Sequence, residues 1–288
     1  MARVRIASGE LAAEVDPAGA ELVLLQDRQG LDYLWNAGPA WPRHAPVLFP
    51  IVGKLAGDAY RHAGRLYPMR QHGFARDRAF TLISSGEAGC AFRLEDDATT
   101  RAVYPFRFGL ELHYAVEGAS LRVRYRLDNP GEVALPASLG AHPGFRWPLP
   151  GTAGRPHAIL FEQPEPAPVR RLAGGLLRQT PEPSPVVGRR LTLDDTLFAA
   201  DAVILDHPAS RSLAYGPVDG ARMRFAFTGF DVLGLWSKPG AGFLCIEPWR
   251  GYHSPEGWDG ELAAKPGMLS VPPGGRFDAS WTVTLPEG

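Results

Sequence analysis

The sequence predicts an all-β protein, one antiparallel sandwich of many short strands, and three features carry that prediction. Apolar and polar residues alternate at period two in stretch after stretch, glycine and proline punctuate those stretches, and almost no segment holds a helical period. With 33 glycines and 28 prolines among 288 residues, interruptions come too often for long helices. Hydrophobic residues make up 45% of the chain, enough for a sizeable core. All-β units of this length commonly fold as one, so residues 1–288 are expected to form a single domain.

The clearest alternation is Phe108, Leu110, Leu112, Tyr114, Val116, followed by Leu121, Val123, Tyr125, Leu127. These are two half-buried strands joined by a Glu-Gly-Ala-Ser turn. Similar short runs occur at 3–7, 21–26, 80–84, 91–95, 158–162, 203–206, 222–227, 232–236, 243–246 and 280–285. Leu197, Phe198 and Ala202 share helical spacing, so 194–203 is expected to hold one short helical turn. The proline-rich stretch 163–190 reads as an irregular excursion over the surface.

Composition narrows the function. The net charge is −1 with basic residues scattered, which excludes an electrostatic footprint for nucleic acid or an anionic membrane and favours a small, nearly neutral ligand. Cys90 and Cys245 lie far apart, which argues against a disulfide framework or a cysteine zinc site and fits a reducing compartment. The first 15 residues lack the apolar centre of a signal peptide, and no window reaches the about 18 apolar residues of a membrane span. A cytoplasmic protein is expected. There is no Gly-x-Gly-x-x-Gly, no Walker loop and no Gly-x-Ser-x-Gly elbow, so nicotinamide, nucleotide-triphosphate and serine-hydrolase chemistry are not expected.

Three segments combine ionisable residues with unusual neighbours. In YPMRQHGFARDRAF, 67–80, His72 precedes a glycine, Phe74 and Arg76. In SLGAHPGFRWP, 138–148, His142 is followed by Pro143 and Gly144, then Phe145 and Trp147. In FLCIEPWRGYHSPEGWDG, 243–260, Glu247 follows four apolar residues and precedes Pro248 and Trp249. Each alone also fits a plainer reading: a histidine packed in a loop, or the first solvated residue after a strand. Together, polar groups beside aromatic rings suit a sugar, whose C–H faces stack on rings while its hydroxyls take hydrogen bonds. Two histidines and a glutamate could also bind iron or zinc, but their wide spacing discourages that reading, and no metal or other cofactor is expected. Lys54, Arg76 and Asp201 either face a ligand or serve ordinary surface roles.

The motifs VLFPIVGKL (47–55), QHGFARD (71–77), YPF (104–106), SLGAHPGF (138–145), LGLWSKP (233–239), CIEPW (245–249) and KPGM (265–268) occur in this order. On these the chain resembles the aldose 1-epimerase (galactose mutarotase-like) superfamily, and in particular its LacX-like branch. The resemblance implies a large single-domain antiparallel β-supersandwich that interconverts the α and β anomers of an aldose. It further implies Glu247 as general base, His142 as general acid, and His72 and Asp201 as sugar-binding residues. Arg76, Lys54, Phe145, Trp236 and Trp249 are the further candidates for contact with the sugar. A lysine stands at Lys54 where classical mutarotases carry an arginine, which leaves substrate identity open. A hexose-6-phosphate epimerase and a non-catalytic carbohydrate-binding protein are the alternatives. Pro248 is expected to end the strand just past Glu247, and His253 to lie outside the site, because the two-proton chemistry is complete without it.

Overall fold

The computed structural model describes residues 2–286. Three antiparallel sheets carry the architecture. The largest has nine strands in the order Arg190–Thr192, His157–Phe161, Ser212–Pro217, Met223–Thr228, Arg276–Thr284, Ser120–Asp128, Gly109–Glu117, Gly89–Glu95 and Thr81–Ser85. At its centre Ser120–Asp128 pairs along its full length with both neighbours, Gly109–Glu117 and Arg276–Thr284. Leu121, Val123, Tyr125 and Leu127 point into the core while Arg122 and Arg124 face water, as the period-two pattern requires.

A six-stranded sheet runs Val203–Leu205, Val232–Trp236, Phe243–Arg250, Leu139–Ala141 and Val47–Leu48, with Gly144–Arg146 also pairing to Phe243–Arg250. Val4–Ala7, Leu11–Asp16 and Glu21–Asp27 form the third sheet. One continuous core draws Ile6 and Leu25 from the three-stranded sheet, Leu121 and Phe225 from the nine-stranded sheet, and Leu244 and Ile246 from the six-stranded sheet. Phe49, just past the Val47–Leu48 strand, meets Phe108, just before Gly109–Glu117, with ring centroids 4.9 Å apart. That contact ties the two larger sheets together.

Helix is scarce. The helical turn expected within 194–203 is a 3₁₀ turn at Asp195–Phe198, capped by the Asp194 carboxylate. One α-helix, Ala98–Val103, was not expected; a capping box between Asp97 and Thr100 starts it, and six residues are too few for a visible period. Among the described residues no helix is long and apolar enough to cross a membrane.

Phe243–Arg250 is an eight-residue strand, so Pro248 does not end it. The reason lies in its neighbours. Ile246 donates its N–H to the Pro143 carbonyl, and Pro248, two residues on, turns its missing donor to the same side. There the partner backbone breaks between Leu139–Ala141 and Gly144–Arg146, so no ladder bond is lost.

The Phe49–Phe108 contact predicts the cost of uncoupling the sheets. Phe108→Ala is expected to destabilise the fold by about 3–5 kcal/mol, the usual range for a buried phenylalanine, measured by urea denaturation. A loss below about 1 kcal/mol would mean that the sheets hold together without it.

Candidate functional site

The six-stranded sheet presents one face of Phe243–Arg250 to the core and the other to a cavity of about 700 Å³. Leu244 and Ile246 take the core side; Glu247 and Trp249 take the cavity side. Trp249 lies flat across its neighbours because both are glycine: a Cβ on Gly234 or Gly140 would stand 2.5 and 2.7 Å from the indole. Its own indole N–H is buried without a partner.

His142 occupies the break in the partner backbone opposite Glu247. Its Nε2 lies 3.1 Å from Oε2 of Glu247, although Oε2 has no hydrogen-bond partner, so the two are close without being aligned. Trp41 stacks on the imidazole at 4.9 Å, and Trp236 meets it edge-on at 5.8 Å. Trp41 fits there because the strand beneath it is Gly144, where a Cβ would approach the indole to 2.7 Å.

His72 adopts a left-handed backbone, φ +65°, and is clamped to Gly53 twice: its N–H donates to the Gly53 carbonyl, and its Nδ1 accepts from the Gly53 N–H at 3.1 Å. Nδ1 as acceptor leaves Nε2 as the N–H donor. His253 takes the opposite tautomer. Its Nδ1 lies 2.8 Å from the Gly175 carbonyl, which only accepts, and 3.4 Å from the Lys54 N–H; the much shorter carbonyl contact places the proton on Nδ1 and leaves Nε2 as an acceptor. Gly53 is required here as well, since a Cβ would sit 2.2 Å from the His253 ring. The buried Lys265 ammonium donates to the Tyr252 carbonyl and Ser254 donates to the Lys54 carbonyl, which fix the His253 segment from both sides.

Of the residues singled out in the sequence, Glu247, His142, His72, Arg76, Lys54, Asp201, Trp236 and Trp249 all line the cavity. Phe145 does not. Its ring is fully buried and packs edge-on against Phe225 at 6.0 Å, because Gly144 takes the cavity side and the next residue must take the core side. His253, expected outside the site, is 3% exposed and forms part of the cavity wall. The 163–190 stretch contributes to that wall through the hairpin Leu172–Ala173 and Leu176–Leu177, whose turn supplies Gly174 and Gly175. Trp41, Gln71, Phe198 and Lys238 also line it without having been marked in the sequence. Gln71 and Lys238 lie inside the motifs 71–77 and 233–239, Phe198 in the expected helical turn, and Trp41 shortly before 47–55.

Arg76 donates to the Gln71 carbonyl at 2.7 Å, and its Nε is buried without a partner. Lys54 lays its stem along Gly175. Neither cation pairs with a carboxylate among the described residues, whereas the adjacent Arg43 is taken by Asp77 at 2.7 Å. Asp201 is exposed at the rim, with φ +67° and one oxygen accepting from the Ala202 N–H.

Burial dominates the electrostatics. It pushes the Glu247 carboxyl well above the usual carboxylate range, with Asp201 adding to the effect. It brings His142 down to about 3, helped by the Arg76 charge, and His253 down to about 4. His72 is likewise held well below its usual value. Burial thus favours the neutral form of all three histidines and of Glu247.

This state has a stability signature. Between the ordinary value of 4.5 and its raised folded value, Glu247 keeps a proton that the unfolded chain has lost, so stability falls as pH rises through that window. Glu247→Gln removes the effect. Its melting temperature is expected to match the parent near pH 4 and to exceed it increasingly toward pH 8; a constant offset would show that Glu247 does not titrate abnormally.

The sequence pattern of the aldose 1-epimerase family matches residues 2–253. Two LacX proteins of Lactococcus lactis subsp. lactis, one chromosomal and one plasmid-borne, are each 32% identical to the chain over 96% of both partners. Among solved structures, the galactose mutarotase related enzyme from Lactobacillus acidophilus superposes with a TM-score of 0.89 at 28% identity, covering 100% of this chain and 98% of that one. A galactose mutarotase-like protein from Lactobacillus casei ATCC 334 superposes with a TM-score of 0.91 at 27% identity, over 99% of this chain and 100% of the other. With the pattern matched over most of its length and relatives aligned nearly end to end, the chain belongs to the aldose 1-epimerase family.

Proposed function

We propose that the protein is a mutarotase, interconverting the α and β anomers of a free hexose by ring opening and closure. One observation carries the reading: the buried Glu247 and His142, 3.1 Å apart on the wall of a cavity large enough for a sugar. Opening a hemiacetal requires a proton to leave the O1 hydroxyl while another reaches the ring oxygen O5. One base and one acid must therefore flank it, and each transfer is worth roughly 10²–10⁴-fold in rate.

In the roles that the family implies, Glu247 acts as a carboxylate on O1 and His142 as an imidazolium on O5. Burial favours the other distribution, with the proton on Glu247. The two differ by a single proton moved from Oε2 to Nε2, and sugar hydroxyls supply the polarity that the charged form needs. Ring opening then restores the favoured form: Glu247 holds the O1 proton and His142 is neutral. The aldehyde rotates about C1–C2, and the same two transfers in reverse close the ring on its other face. The pair ends each cycle as it began, with no net proton taken from water, and no redox step calls for a cofactor.

The remaining wall suits a sugar. Trp41 and Trp236 offer faces to its C–H groups. The His72 Nε2–H, 3.2 Å from the Gln71 side-chain amide, and the His253 Nε2 acceptor, on rings 6.0 Å apart, match a hydroxyl, which both accepts and donates. Arg76, Lys54 and Asp201 complete the polar lining. The two cysteines are free and buried, in keeping with a cytoplasmic location.

A second reading, a hexose-6-phosphate epimerase, is favoured by Arg76 and Lys54, which line the cavity without carboxylate partners among the described residues.

The test is polarimetry or NMR of freshly dissolved α-galactose, α-glucose and their 6-phosphates. Acceleration of a free hexose is expected, and Glu247→Gln should lower kcat by at least about 10²-fold. Acceleration confined to the phosphates, with KM raised in Arg76→Ala, would favour the second reading. No acceleration with any sugar would leave a non-catalytic binding protein.

A further inference from the structure

Cys245 is not needed for ring opening, yet it lies on the same strand as Glu247, two residues away and therefore on the same face. One ligand atom each from His142, Cys245 and Glu247 falls within 4.8 Å of the others, and all three residues are buried. We propose that these three side chains form a binding site for a zinc-like divalent cation, and that its occupation switches the acid–base pair off.

Geometry and charge both support the site. Neighbouring donors around a tetrahedral zinc, at bond lengths of about 2.0–2.3 Å, stand roughly 3.3–3.6 Å apart. The His142–Glu247 separation of 3.1 Å is already close to that, and the widest separation in the set needs to close by only about 1 Å. Oε2 of Glu247 is buried with no hydrogen-bond partner, a lone pair left open toward the cluster. The donor set of thiol, imidazole and carboxyl suits a borderline-soft ion rather than magnesium or calcium. Binding a dication would displace two protons, one from the Cys245 thiol and one from the Glu247 carboxyl. Thiolate, carboxylate and dication then sum to zero charge, the condition under which a buried ionic cluster is tolerated. His142 and Glu247 line the cavity while Cys245 is fully buried beside them, so an ion would reach the three donors from the cavity side.

An ion held there occupies the Glu247 oxygen and the imidazole nitrogen that ring opening uses. That inhibitory half rests on the proposed mutarotase reading; the binding half does not.

The experiment separates the two. Titration of the purified protein with Co²⁺ alone is expected to give a near-ultraviolet thiolate-to-cobalt band, displaced by Zn²⁺ and absent in Cys245→Ala. In the mutarotation assay Zn²⁺ should abolish turnover, EDTA should restore it, and Cys245→Ala should turn over normally without metal and need at least tenfold more Zn²⁺. Cys245→Ser, checked by circular dichroism, replaces the alanine variant if that one misfolds. Absence of the thiolate–cobalt band in the parent protein overturns the site, as does equal Zn²⁺ sensitivity of parent and variant. If no sugar is turned over, the mutarotase reading fails while the cobalt spectrum still decides the site.

Discussion

Two ionisable groups, Glu247 and His142, are held 3.1 Å apart and nearly fully buried in the cavity wall, and much of the local structure serves to keep them there. Neither can ionise on its own without the penalty of charge in a low-dielectric site. The strand that carries Glu247 is covered on both faces, so the carboxyl sits on a rigid element. His142 fills the one break in the neighbouring backbone, and Trp41 stacks over it. The glycines at 140, 144 and 234 are consequences of the same arrangement, each yielding side-chain space to an indole. A methyl group at any of them would move a tryptophan and, with it, the floor or wall against which the pair is set.

The other two histidines show how backbone contacts define chemistry. His72 and His253 have the same side chain, similar burial and perpendicular rings 6.0 Å apart, yet opposite tautomers, because the shortest contact of one Nδ1 is to an N–H and that of the other is to a carbonyl. Gly53 stands between them, bonding to one ring and making room for the other. The cavity thus receives a donor and an acceptor whose roles are stable against pH, since burial keeps both rings neutral. Arg76 and Lys54 line the cavity without an ion-pair partner among the described residues, which bears on the choice between free and phosphorylated sugars.

Much of this was legible in the sequence where local pattern and tertiary role coincide. Leu121, Val123, Tyr125 and Leu127 alternate because one face of their strand is core and the other water. Glu247, His142 and His72 stood out through their glycine, proline and aromatic neighbours. The failures have physical causes of a different kind. Pro248 reads as a strand terminator unless the break in the adjoining backbone is known. Phe145 shares a motif with His142 but lies on the other side of the pleat, next to Gly144, which faces Trp41. His253 is drawn into the cavity by contacts to Gly53 and Gly175, about 200 and 78 residues away along the chain, which no local pattern encodes. Cys245, set aside with Cys90 because the two lie far apart in the sequence, joins His142 and Glu247 only once the strands are paired.

The central claim is that burial favours the proton of the Glu247–His142 pair on Glu247 and that sugar binding moves it to His142. The most direct measurement is the ¹³C chemical shift of the Glu247 side-chain carboxyl carbon, assigned by comparison with Glu247→Gln, followed against pH with and without sugar. The account predicts a carboxyl that keeps its proton well above the ordinary value of 4.5 in the sugar-free protein and shifts toward the carboxylate when sugar binds. A Glu247 carboxyl that titrates at the ordinary value of 4.5 in the sugar-free protein would contradict it.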